Sequence, residues 1–260
     1  MYTGILRSHS SHPGEDVVQY HLQLDDEQIA LNPFIGGYLR VAFEGEKRCI
    51  YCGRKSNKLF NGGYCYPCFQ TLARNDICMV KPNLCHYETC REPEWGDQHC
   101  MIPTYVYLAK SSDIKVGITR NLPGRWLNQG AVEAIPIAVL PTRKMAGELE
   151  LFLMQHLPDK TNWRKMLKGE VVDASLLEVR ERVLGLIPDE YRSHILTEEV
   201  VRRFHYPVSA VPDKIASHDL DKGPAEGTLL GLKGNYLIFD SGVLNLPKFT
   251  GYRISLQVGA

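Results

Sequence analysis

The chain has 260 residues, 44% of them apolar, which is enough to bury the cores of two or three small domains. Thirty Lys and Arg balance thirty Asp and Glu, so the molecule is no polycation and affinity for a polyanion must come from a local patch. The first twenty residues carry no basic-then-apolar leader and no run approaches the ~20 apolar residues of a membrane span, so the sequence predicts a cytoplasmic protein without a membrane partner.

Residues 1–48 read as β-rich, with apolar residues alternating over 20–24 and recurring over 38–43 after a Gly-Gly turn. The far end repeats the pattern. Leu31-Asn32, Phe34 and Gly37-Tyr38-Leu39-Arg40-Val41 correspond to Leu244-Asn245, Phe249 and Gly251-Tyr252-Arg253-Ile254, with Gly4-Ile5-Leu6 and Gly227-Thr228-Leu229 upstream of each. Residues 1–48 and 206–260 are therefore expected to be related β units that pair into one sheet or barrel, with the middle of the chain inserted between them.

All eight cysteines lie in the next segment, 49–103, a clustering that favours metal binding over oxidation in a reducing compartment. Cys49-Ile50-Tyr51-Cys52 and Cys65-Tyr66-Pro67-Cys68 are two C-x2-C pairs, and Gly53 supplies the backbone freedom for the first turn. Together they make a closed tetrahedral thiolate set for a structural Zn2+. Cys78, Cys85, Cys90 and Cys100 are spaced more loosely and are expected to hold a second Zn2+. His86 or His99 can replace one thiolate there, and an iron–sulfur cluster accepts the same ligands. Arg54, Lys55, Lys58, Phe60, Tyr64, Tyr66 and Phe69 suit either nucleic-acid stacking or the filling of a thin zinc-module core.

Residues 104–169 follow. Two β-branched and aromatic runs, 105–109 and 114–118, flank a Ser-Ser-Asp turn, which predicts a β-hairpin. A short helix should come next, capped by Asn121, with Pro123 in its first turn and Gly130 at its end, so that Arg125 and Gln129 share a face. A third strand over 132–140 and a helix over 143–157 complete a small three-stranded sheet with helices. Glu150 shares a helical face with Ala146, Leu153, Met154 and Leu157, where a carboxylate is costly unless partnered, whereas Glu148 pairs with Lys144 at the surface. Residues 159–168 are basic and carry a tryptophan. Helices are predicted over 170–184, with Val172, Leu176, Val179 and Val183 on one face, and over 197–204, making 170–205 a helical support. The segment 206–227 reads as loop.

This order of elements, with these residues on them, resembles the GIY-YIG nuclease superfamily. The resemblance places Tyr105-Val106-Tyr107 at the first signature tripeptide, with Tyr107 as the catalytic tyrosine, and Lys115-Val116-Gly117 at the second, with Lys115 in place of a tyrosine. It places Arg125 at the helix arginine, Gln129 where many members carry histidine, Glu150 at the metal-binding glutamate and Asn162 at the late asparagine. What it implies is an α+β chain with a GIY-YIG-like unit, a zinc module and a β module from the two ends. The implied activity is cleavage of a phosphodiester in DNA or RNA, with one Mg2+ or Mn2+ on Glu150. The chemistry suits these residue types: Glu150 for a hard cation, Arg125 as a forked phosphate donor, and Lys115 as a cation that draws Tyr107 toward phenolate. Over its whole length the order of cysteine cluster, VYLA, KVGITR and late KGNYLI also resembles a bacterial family of uncharacterised proteins. The other readings are a zinc-stabilised nucleic-acid-binding module that does not cleave, and a protein-interaction scaffold.

Overall fold

The structure, a computed structural model, describes residues 1–157, 162–197 and 200–259. In chain order the strands and helices are β1 (Tyr2–His12), β2 (Gln19–Leu24), β3 (Glu27–Ala30), β4 (Tyr38–Lys47), α1 (Tyr66–Thr71), α2 (Pro93–His99), β5 (Thr104–Lys110) and β6 (Ile114–Thr119). There follow α3 (Gly124–Asn128), β7 (Glu133–Leu140), α4 (Arg143–Leu153), α5 (Trp163–Lys168), α6 (Leu176–Leu186) and β8 (Arg202–Arg203). The last four are β9 (Ala225–Lys233), β10 (Tyr236–Phe239), β11 (Gly242–Asn245) and β12 (Tyr252–Val258). The class is α+β, and the described chain divides into one unit of 1–70 with 205–260 and another of 71–204.

The first unit is built on one eight-stranded antiparallel sheet, ordered β11-β10-β9-β4-β12-β1-β2-β3. The repeat seen in sequence is its organising principle. Exchanging β1–β4 for β9–β12 leaves this order unchanged when it is read from the other end. Each half is a three-stranded meander, a short 3-10 turn (Asn32–Phe34 or Leu246–Phe249) and a last strand. Each last strand then pairs with the first strand of the other half, β4 with β9 and β12 with β1, while β4 and β12 meet at the centre with Val41 opposite Leu256. The alternation predicted for 20–24 is present, with Tyr20, Leu22 and Leu24 buried. Tying the first strand of each half to the last strand of the other makes the two ends of the sequence one folding unit.

The second unit centres on a four-stranded sheet ordered β6-β5-β7-β8. The hairpin and third strand lie where the pattern put them, but the sheet has a fourth strand instead of ending at three. Arg202–Arg203 pairs with β7, and Arg203 bonds Glu133 at 3.1 Å, in a stretch expected to be helical. Residues 198–199 of that expected helix, and 158–161 around the start of the basic segment, lie outside the described residues. One sheet face is covered by α4 and α6, whose Leu149, Leu153 and Val183 join Val106, Leu108, Ile135 and Ile137 in a continuous core. Two helix boundaries differ from expectation. The helix expected over 143–157 ends at Leu153, and the one expected from 170 starts at Leu176, because Ser175 accepts from the Glu178 amide and ends the preceding extended chain. Val172 therefore lies off that helix, and Gly185 within it.

Candidate functional site

A cleft of about 370 Å³ lies in the second unit, along the free rim of the edge strand β6. Tyr107 on β5, Lys115 on β6, Arg125 and Gln129 around α3, and Glu150 on α4 all line it. An edge strand explains how side chains from a sheet, a loop helix and a packed helix reach one space: among the described residues no further strand covers its outer side. Two more cations line the same cleft without having been singled out in sequence, Arg120 just after β6 and Arg143 at the start of α4. Four basic side chains thus surround one carboxylate. The fifth residue of the resemblance, Asn162, is not among the lining residues; its side chain accepts from the Arg164 and Lys165 amides at 3.1 and 3.2 Å, capping α5. Asn121, expected to cap α3, leaves that place to Pro123, which makes no side-chain cap bond.

Tyr107 is fully buried, and its ring meets Trp126 edge-on with centroids 5.8 Å apart. Its hydroxyl donates to Gln129 Oε1 at 3.1 Å. Burial pushes the phenol up to about 12, opposed by the charge of Arg125 and reinforced by that of Glu150. This corrects the expectation that Lys115 draws Tyr107 toward phenolate. Tyr107 faces Gly117 across the hairpin and Lys115 sits two pairs further along, opposite Ala109, so the cation that chiefly opposes burial at the phenol is Arg125. At neutral pH the residue keeps its proton.

Glu150 is held above the ordinary carboxylate range by burial, which outweighs the opposing charges of Arg143 and Arg125, the Ile118 amide that donates to it, and Lys115. The partner that the sequence required of a carboxylate on this face is therefore the unpaired rim of β6 together with the cations. Glu148 is not among the lining residues and stands 4.0 Å from Lys144. Glu150 is the one carboxylate among the residues that line the cleft.

Gly117 sets the position of Tyr107. A Cβ there would lie 2.5 Å from the Tyr107 oxygen and 2.6 Å from the ring carbon that bears it. Gly117→Ala should therefore displace the ring and lower stability by about 1–3 kcal/mol. Urea unfolding measures this; an unchanged midpoint would mean that the ring has room to move.

In the first unit the Sγ atoms of Cys49, Cys52, Cys65 and Cys68 all lie within 4.8 Å of one another, with Cys52 and Cys65 3.7 Å apart. Four thiolates at about 2.3 Å from one tetrahedral zinc stand about 3.8 Å apart, so the set has the dimensions of an ion site. The backbone prepares it. Burial would raise the Cys49 thiol, but the amides of Cys52, Cys65 and Tyr51 outweigh it and bring it down to about 6. Gly53, at φ +72°, closes the turn back onto the Cys49 carbonyl. These four residues can hold a metal such as zinc. The aromatic residues nearby pack on one another, Phe60 against Phe69 and Tyr66 at 5.4 and 5.5 Å, while Tyr66 stays exposed.

The looser cysteines line a cavity of about 20 Å³ in the second unit. The tightest group there is Asp76, Cys78 and His86. Both nitrogens of His86 are engaged, with Asp76 at 3.2 Å and Thr89 at 2.9 Å, and Asp76 also accepts from Arg91 at 2.9 Å. His99 stacks on Trp95 and bonds its carbonyl at 2.9 Å.

Fold and site together define an α+β protein with a four-cysteine cluster able to hold a metal in one unit and a cation-lined cleft in the other. Residues 36–254 match the family described as Protein of unknown function (DUF2797), and the chain belongs to that family. No curated protein and no solved structure matches it. Among the described residues no helix is long and apolar enough to cross a membrane.

Proposed function

We propose that the chain is a cytoplasmic nucleic-acid-processing protein that cleaves a phosphodiester bond in the β6-edge cleft, as the GIY-YIG resemblance implies, with zinc on Cys49, Cys52, Cys65 and Cys68. The observation that carries this reading is the convergence of Tyr107, Lys115, Arg125 and Glu150 on one space. Arg120, Arg125 and Lys115 offer positive charge to a phosphate whose negative charge grows as it is attacked. Tyr107 enters as a proton-bearing phenol that orients water or an oxygen of the substrate by turning its one O–H from Gln129 Oε1 toward that oxygen. Mg2+ or Mn2+ on Glu150 would supply Lewis-acid charge. Because cations crowd that carboxylate, the bound phosphate helps neutralise the site for a metal ion. Free thiols fit the reducing cytoplasm.

The complete burial of Tyr107 favours one other reading, a cleft that binds nucleic acid without cutting it. End-labelled single- and double-stranded DNA and RNA, incubated with the zinc-loaded protein with and without Mg2+, separate the two. Cleavage should appear only with Mg2+, and Arg125→Ala should reduce both turnover and binding by about 10- to 100-fold. Retention of the strands without any fragments would leave the binding reading in place.

A further inference from the structure

The two cleft arginines that sequence did not single out are both fastened to the segment that carries the looser cysteines. Arg143 donates from its guanidinium to the carbonyls of Cys78 and Met79 at 2.6 and 2.8 Å, and its own amide donates to the Cys100 carbonyl at 2.8 Å. Arg120 donates to the carbonyl of His99. Met79, Val80 and Pro82, between Cys78 and Cys85, form part of the cleft wall. That wall is pressed directly onto α4: a Cβ on Gly147 would lie 2.4 Å from Pro82. Cys78, Cys85, Cys90 and Cys100 all border the same 20 Å³ cavity, a volume with room for one water-sized occupant. Asp76 already accepts from His86 and Arg91, and the ligand atoms within 4.8 Å of one another there are those of Asp76, Cys78 and His86, so the four free thiols must draw together around the cavity to share one ion.

We propose that these four thiols bind a second zinc ion, and that this ion braces the cleft wall and holds Arg143 and Arg120 in place. The segment 73–90 contains only short 3-10 turns, so little regular hydrogen bonding fixes its path. A thiolate-bound ion gathering Cys78, Cys85, Cys90 and Cys100 would fix that path. The carbonyls of residues 78, 79, 99 and 100 would then be fixed as acceptors, and the guanidiniums with them. The proposal takes the cleft as the working site described above, but its test needs no cleavage.

Elemental analysis of the purified full chain should find two zinc equivalents, falling to one in Cys90→Ser and returning to two in Cys90→His, which restores a ligand. Hydrogen exchange in peptides covering 143–150 should be at least ~10-fold faster in Cys90→Ser and normal in Cys90→His. A merely packed cysteine would not be rescued by histidine. One zinc in the wild-type chain overturns the site, and unchanged exchange in a Cys90→Ser protein that has lost one equivalent overturns the brace. Should Cys90→Ser fail to fold, the same peptides followed while a chelator strips the wild-type chain decide the matter: exchange that stays slow in the metal-free chain overturns the proposal.

Discussion

Glu150→Gln should abolish Mg2+-dependent cleavage while leaving nucleic-acid binding within a few-fold of wild type, and it should raise the melting temperature at neutral pH. The first effect follows from charge: glutamine keeps the size and can still accept from the Ile118 amide, but it no longer offers a divalent ion an anionic ligand. Arg125 and Lys115 still line the cleft and, under the proposed function, would still receive the phosphate. The second effect follows from linkage. Burial holds the Glu150 carboxyl above its ordinary range, so the folded chain binds this proton more tightly than the unfolded chain does. The group's stabilising contribution is complete below the ordinary carboxylate pKa and is lost as pH rises through the raised folded value. Above that window the ionised side chain is a liability, which the substitution removes. Wild-type activity should accordingly fall on the acid side at a higher pH than an unperturbed glutamate would give. Tyr107→Phe should also stop cleavage with folding intact, because the hydroxyl it removes bonds Gln129 rather than any part of the core. Cleavage undiminished in Glu150→Gln would exclude the metal-dependent mechanism.

The cleft was partly legible in the sequence because its residues sit at fixed offsets on elements with strong local patterns. Val106 and Leu108 alternate with Tyr107, and Gly117 stands opposite it in the hairpin, so position on a strand decided position in the site. Arg120 and Arg143 read as a loop residue and a helix start. Their place in the cleft depends on carbonyls of residues 78, 79 and 99, which no periodicity records. The environment of Tyr107 was misread for a related reason: Lys115 is close along the hairpin, but Arg125, brought in by the loop helix, acts on the phenol more strongly. Strand β8 has no apolar pattern and rests on its pairing with β7 and the ion pair from Arg203 to Glu133. The start of α6 was legible after all, in Ser175 and Glu178 three residues later, a capping signal that outweighs the apolar spacing through Val172. In the first unit the repeat between the ends announced two related halves. Which strands pair across them, β4 with β9 and β12 with β1, follows from long-range register that local sequence does not specify.

Removing the ion from Cys49, Cys52, Cys65 and Cys68 should unfold segment 49–68 and lower the melting temperature of the whole chain, reversibly on adding zinc. Three of these cysteines are buried and their sulfurs crowd one point, so without a cation they must protonate or separate. Burial and the neighbouring sulfurs hold the Cys65 and Cys68 thiols above their usual range, the direction expected of thiols that share a buried site. Little else fixes the segment. Its regular structure consists of isolated bridges from Arg48 to Lys55 and from Phe60 to Tyr64, and of the short helix α1. Structural zinc sites of this kind contribute about 10–16 kcal/mol of binding free energy, well beyond what one small aromatic cluster can replace. The loss should spread into the eight-stranded sheet, because Ile50 bonds the Gly63 carbonyl and Arg48 bonds that of Gly251, next to β12. Cys65→Ser should therefore lower zinc by one equivalent and broaden or lower the thermal transition, whereas Cys52→His, at the one exposed ligand, should keep the metal and most of the stability. Thermal melts paired with elemental analysis check this, and a metal-free chain that melts at the same temperature as the loaded one would show that the four thiols are packing residues.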